Sequence, residues 1–259
     1  MFPITDSDLK RSSFPFVNIG LIVACAAVFI YELTLGGMSR DAFFYQFGLI
    51  PNELFHGISY EVLSTGTEQV DIESPVPTWA TIFTSMFVHG DWMHFLFNML
   101  FLWVFGDNVE DRFGHFRYLL FYLAAGIAAS MLQVITDTHS EIPTIGASGA
   151  IAGILGAYLL LFPYSRIGTA IVFIFITFVR IRAIYLLGFW ILLQFVGGLG
   201  TLGPSAQSGG VAYWAHIGGF IFGLVVVIFY KFLKGEPFWP RRPGSRPSGN
   251  YWRDGPIND

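Results

Sequence analysis

The strongest constraint on this chain is a succession of apolar runs, each about as long as the ~20 helical residues that cross a hydrocarbon core of roughly 30 Å. Six fit: Phe16 to Leu35, Trp79 to Phe105, Phe116 to Ile135, Ala147 to Phe162, Ile181 to Leu199 and Val211 to Tyr230. Lipid offers a backbone no hydrogen-bond partner, so each run is expected as a helix and the chain as an all-α, six-span membrane protein. Composition agrees. The 259 residues are 54% hydrophobic and 12% charged with a mean hydropathy of +0.58, about half the charge of a soluble domain. The first run follows Lys10 and Arg11 but lacks a small-residue cleavage site, and it reads as a retained helix. Cys25 lies in that run, alone of its kind, and reads as a small buried apolar residue.

An even number of spans puts both termini on one side, and the distribution of positive charge says which. Lys10, Arg11, Arg112, Arg117, Arg166, Arg180, Arg182, Lys231, Lys234, Arg241 and Arg242 all fall at one face. Only Arg40 falls opposite, in an acidic segment from Gly36 to Thr78. Both termini are therefore expected in the cytoplasm, with the plasma (inner) membrane as the expected site. Residues 1–15 read as a cytoplasmic N-terminus, 16–233 as the six-span domain and 234–259, rich in proline, as a disordered tail. Ile167 to Val179 is too short for a helical crossing, and counting it as one would reverse the later spans. Its β-branched residues predict an extended or hairpin element, non-spanning, at the cytoplasmic interface between spans four and five. The Gly36 to Thr78 segment, with Phe43, Phe44, Phe47, Leu49, Leu54 and Phe55, predicts helices lying in the outer interface.

A polar group inside a span is costly and marks a functional candidate. His94 and Asn98 stand four residues apart on one face of the second span, with His89 earlier. Ser148 opens the fourth span within Gly146-Ala-Ser-Gly149, and His216 lies early in the sixth. Each has a plainer account: a serine among glycines as a packing residue, His216 bonded across a helix interface, His94 and Asn98 as glue between helices. Topology favours the functional one. Spans two, four and six all run inward, so these residues share a depth below the outer surface. Gly149, Gly153 and Ala157 recur at four-residue spacing, as do Ala215, Gly219 and Gly223, and such faces permit close backbone approach. That approach would set His216 against Ser148 as a base beside a hydroxyl nucleophile. Asn98, His94 and the Ser148 amide would then donate to a developing oxyanion. No membrane carboxylate is evident as a third member, so the expectation is a Ser-His dyad.

Other chemistries fit less well. The glycines from Gly146 to Gly156 lack the Lys-Ser or Lys-Thr ending of a phosphate-binding loop. His89, Asp91 and His94 lack the His-Glu-x-x-His spacing of a zinc protease, and no metal or cofactor is expected. Nucleic acid is not an expected partner of a chain with net charge −4. The absence of an internal repeat and of an intramembrane acid paired with a base argues against a transporter.

His94-Phe-Leu-Phe-Asn98, Gly146-Ala-Ser148-Gly149 and Ala215-His216-Ile-Gly-Gly219 with Gly223 together resemble the rhomboid intramembrane serine proteases over roughly Thr78 to Gly223. The stretch Phe105 to Gly114 is similar to the family's cytoplasmic loop after the second span. The resemblance implies a six-helix bundle with Ser148 as nucleophile, His216 as base, and His94, Asn98 and the Ser148 amide as the oxyanion site. The implied activity is hydrolysis of a peptide bond in or beside a substrate's transmembrane segment, without metal or ATP; from the depth of Ser148, the expected partners in the bilayer are single-span membrane proteins. Two departures stand out. Ala152 occupies the place where some members stack an aromatic ring on the histidine, and Trp79-Ala80 replaces a Trp-Arg pair before the second span. The alternative is a rhomboid-like protein that binds membrane helices without cutting them.

Overall fold

The computed structural model describes residues 2–6, 9, 11–65, 68–172, 176–202 and 210–240. Strand β1 (Phe2–Asp6) precedes helix α1 (Phe16–Thr34), then α2 (Gly37–Phe47), α3 (Pro51–His56) and an antiparallel pair, β2 (Val62–Thr65) with β3 (Glu68–Asp71). Short 3-10 turns flank α4 (Thr81–Thr84). After them come α5 (Trp92–Phe101), α6 (Asp107–Phe113), α7 (His115–Thr136), α8 (Ser148–Leu161), β4 (Arg166–Val172), β5 (Ile176–Arg182), α9 (Ala183–Gly200) and α10 (Tyr213–Lys234). Among the described residues, α1, α7, α9 and α10 are long and apolar enough to cross a membrane, whereas α8 has 14 residues.

α8 is the axis of the molecule. All of its residues except Ser148 and Leu159 are buried, between α7 on one side and α10 on the other. Small residues allow this. A Cβ at Gly149 or Gly153 would strike Ala129 or Ala125 of α7, and a Cβ at Gly219 or Gly223 would strike the carbonyl oxygens of Gly149 and Gly153. α8 and α10 therefore meet backbone to backbone, the close approach that small-residue faces permit.

The expected second span departs from one continuous helix. Between Val88 and Asp91 the chain leaves helical geometry, and Asp91, extended at φ −159° and ψ 172°, accepts from the amides of Met93 (2.8 Å) and His94 (2.9 Å). An aspartate cap after Gly90 starts a helix afresh, so His89 precedes α5 and does not share its face. From Trp92 the helix passes through a π turn, Leu102–Gly106, into α6. A π turn frees a carbonyl from the ladder, and the Leu102 carbonyl accepts the Asn18 amide of α1 at 3.0 Å. Gly106 makes room: a Cβ there would collide with Asn18 and with the Tyr118 hydroxyl that donates to it. The carboxylate of Glu110 accepts from the amides of Val17 (3.0 Å) and Asn18 (2.7 Å), two first-turn donors that have no partner within α1.

The all-α expectation needs correction, because the helical bundle carries two small sheets. The described residues of Ile167 to Val179 lie in β4 and β5, which pair from Arg166↔Arg182 to Val172↔Ile176. β1 adds a third strand, Phe2 opposite Ala170 and Asp6 opposite Ile167, with a register shift beside Pro3, which has no N–H to give. Asp6 accepts from the hydroxyls of Tyr158 and Ser165, and Phe2 stacks on Phe97 of α5 at 5.2 Å. β4 and β5 form where the β-branched residues predict an extended element, whereas the partner of β1 lies far away in sequence, which no local pattern reveals. α2 and α3 occupy the Gly36 to Thr78 segment, where helices were expected. Lys10, Arg241, Arg242 and the tail from residue 241 lie outside the described residues.

Candidate functional site

Ser148 is the first residue of α8, and the turn before it depends on glycine. Gly146 has φ +116°, open to glycine alone among common residues, and its amide donates to the Ser85 carbonyl at 2.8 Å. The side chain it lacks leaves space for the His94 ring, which a Cβ there would strike. The amides of Ser148 and Gly149, in the first turn, have no acceptor within the helix and sit at its positive end.

His216 lies one turn into α10, with 9% of its surface exposed. Its Nε2 is 2.8 Å from Ser148 Oγ, and its Nδ1 is 2.8 Å from Gln194 Oε1 of α9. The Trp190 ring, one turn before Gln194, lies 5.6 Å from the imidazole and tilted by 39°. Ala152 is fully buried and small, so the ring that meets His216 comes from α9 and not from the serine's own helix.

His94 is brought against the Gly146 turn. Asn98 is buried one turn further along α5, and its Nδ2 donates to the His94 carbonyl at 2.9 Å. An amide has two N–H donors, and the second has no partner among the described residues. His89 stands apart from the serine: its Nδ1 bonds the Phe87 carbonyl and its amide donates to Glu32 of α1. A cavity of about 20 Å³ lies beside Ser148, lined also by Ser85, Ser130 and Thr144, enough for one water molecule.

The outer segment is tied to this region. Arg40 donates to the Gly90 carbonyl at 3.0 Å, and Leu49 pairs with Thr144 just before the Gly146 turn. Trp79 is 62% exposed, so these bonds anchor the segment where the Trp-Arg pair is absent. Gln133 of α7 accepts the Ala215 amide at 3.2 Å, holding the start of α10. Gln194, Trp190 and Gln133 are the residues that motif reading passes over. Gln194 had a signal, since it is a polar side chain within an apolar run.

The rhomboid domain model matches residues 77–232. Rhomboid protease GluP of Bacillus subtilis is 41% identical over 104 residues, covering 38% of this chain and 20% of that protein. RHOMBOID-like protein 4 of Arabidopsis thaliana is 30% identical over 251 residues, 92% of this chain and 58% of the relative. Rhomboid protein 1, mitochondrial, of Saccharomyces cerevisiae is 28% identical over 149 residues, 56% of this chain and 40% of the relative. In each, the match spans less than two thirds of the relative's length. With four long apolar helices among its described residues, the chain is an integral membrane protein. The matched region makes up more than half of the chain and contains Ser148, His216, Gln194, Trp190, His94 and Asn98 alike, so the chain belongs to the rhomboid family.

Proposed function

We propose that this chain is an intramembrane serine endopeptidase, with Ser148 as nucleophile and His216 as general base. The observation that carries the reading is the 2.8 Å contact between Ser148 Oγ and His216 Nε2, made by helices that touch through their backbones. As Oγ bonds to the substrate carbonyl carbon, its proton passes to Nε2 and the carbonyl π electrons move to oxygen. The resulting oxyanion would be held by the Ser148 amide, Asn98 and His94, each worth on the order of ten- to a thousandfold in rate. Collapse breaks the C–N bond, Nε2 returns the proton to the departing amine, and water then repeats the attack on the acyl-enzyme to free the acid.

The same reading has six membrane crossings with both termini in the cytoplasm and the hairpin of β4 and β5 not crossing. α8 has 14 residues, a span of about 21 Å at 1.5 Å per residue, so its N-terminus would stop short of the outer edge of a ~30 Å core. Ser148 then works below the outer surface. A helical substrate holds its carbonyls in internal bonds and must unwind first, so the preferred substrates are single-span proteins cut near the outer end, beside a small residue with Gly, Pro or Ser nearby. They would enter sideways past α9. Reaction with a serine-directed fluorophosphonate in liposomes tests the core of this. Labelling and cleavage lost in both Ser148→Ala and His216→Ala is the expected result; cleavage persisting in Ser148→Ala refutes the assignment.

A further inference from the structure

We infer that Gln194 is a positioning residue for His216: it selects the imidazole tautomer whose bare nitrogen faces Ser148. This rests on the reading of Ser148 and His216 as nucleophile and base.

One backbone carbonyl orients the Gln194 amide. Gln194, 9% exposed, has its Nε2 3.3 Å from the Trp190 carbonyl oxygen one helical turn before it. A carbonyl only accepts hydrogen bonds, so the amide nitrogen must be the atom that faces it. That orients the other end of the side chain. Oε1, which also only accepts, is the atom 2.8 Å from His216 Nδ1. The hydrogen of that bond must therefore sit on Nδ1. A neutral imidazole has one N–H, so Nε2 is left with its lone pair, 2.8 Å from the Ser148 hydroxyl it must deprotonate. In the other tautomer, lone pairs on Nδ1 and Oε1 would face each other, and Nε2 would point a hydrogen at the serine and could not take its proton. Turning the amide over could keep a bond from its Nε2 to a bare Nδ1, but it would set Oε1 against the Trp190 carbonyl and lose the bond there. Trp190 restricts the ring's remaining freedom to tilt.

The amide also suits its surroundings. When Nε2 takes the serine proton, Oε1 still accepts from Nδ1–H and its dipole faces the new positive charge. A carboxylate would do this more strongly, but a lone charge on a membrane helix carries a desolvation penalty that an amide avoids. Nδ1 thus has a partner without a buried acid, which accounts for the missing carboxylate.

The test uses the full chain in liposomes with three variants. Gln194→Met keeps the length but has no oxygen to accept, Gln194→Glu restores an acceptor, and His216→Ala identifies the His216 signals in 15N-histidine spectra. Expected is a fall in kcat of roughly a hundredfold for Gln194→Met, within the range for losing a positioned base, with KM altered less than about twofold. Gln194→Glu should recover at least a tenth of the wild-type kcat. In wild type the spectrum should show a protonated Nδ1 and a bare Nε2 at His216, and in Gln194→Met a mixture of tautomers. A wild-type kcat in Gln194→Met overturns the inference. So does an equal loss in Gln194→Met and Gln194→Glu with the His216 spectrum unchanged, which would mark Gln194 as packing alone. If the wild type fails to react with fluorophosphonate, the protease reading falls, and the spectra still decide whether Gln194 selects the tautomer.

Discussion

Adding one methyl group at Gly219 should disable the site without touching any reacting atom. On the backbone of α10 the new carbon would lie 2.0 Å from the carbonyl oxygen of Gly149 and 3.2 Å from the amide nitrogen of Gly153. Carbon and carbonyl oxygen rest about 3.3 to 3.6 Å apart across a helix interface, so α10 must retreat from α8 by about 1.3 Å. Both obstacles are backbone, and no side chain can swing aside. Gly149 follows Ser148 directly and Gly219 lies one turn beyond His216, so the displacement falls on the 2.8 Å contact. At about 4 Å no hydrogen bond survives. Misplacement on this scale costs on the order of a hundredfold in rate, and overpacking costs about 1 to 3 kcal/mol in stability. Gly219→Ala would be compared with Gly188→Ala on α9, where a Cβ meets nothing within 4 Å. Cleavage of a single-span substrate, the rate of fluorophosphonate labelling and the melting temperature would be read for both. The expected outcome is a loss of cleavage and labelling in Gly219→Ala only. Wild-type labelling in a folded Gly219→Ala would show that the contact between helices does not set the distance between serine and histidine.

Three further outcomes follow from the geometry. Glu110→Gln weakens the charged acceptor for two first-turn amides of α1 and should lower stability by about 1 to 2 kcal/mol, read as a lower melting temperature; an unchanged one refutes it. Asp107, outside the spans, is pushed up to about 6 by burial, against the opposing charge of Arg11. Its folded value exceeds the ordinary carboxylate value, so its favourable contribution is full below pH 4 and is lost as pH rises through about 6. The stability advantage of Asp107→Asn should therefore grow from pH 4 to 7, and a difference independent of pH would be inconsistent with this. Finally, cysteines at the exposed positions Arg166 and Arg180, against a background in which Cys25 is buried, should both label from the cytoplasmic side; labelling from opposite faces would overturn the six-crossing reading.

Apolar run length makes most of the helices legible, because lipid leaves the backbone few alternatives. That Ser148 and His216 meet is legible for a different reason: both are polar groups in apolar runs, each beside small residues. What sequence hides is the partner of a polar group. Gln194 is visible in its run, but nothing local says that it meets His216, since that depends on how α9 leans on α10. The break before Trp92 is written in Gly90 and Asp91, an ordinary cap that an apolar count runs straight through. The π turn at Leu102–Gly106 has no compositional mark at all; the Leu102 carbonyl accepts from Asn18, far away in the chain, and Gly106 makes room for that side chain.

The sheet has a consequence for how the molecule is made. Phe2 pairs with Ala170, so β1 leaves the ribosome long before β4 does. At about 5 to 20 residues per second, the strand waits for about 10 to 30 s with its ladder groups unpaired, while α1 to α8 are synthesised. Throughout that interval it is an open edge, ready to pair with any other extended chain nearby. A short strand interrupted by Pro3 and ending in Asp6 is a poor template for such strays, and the native pairing, with Asp6 reaching Tyr158 and Ser165, closes only after β4 has been made. Assembly of this sheet is thereby delayed until the helix that carries Ser148 is already complete.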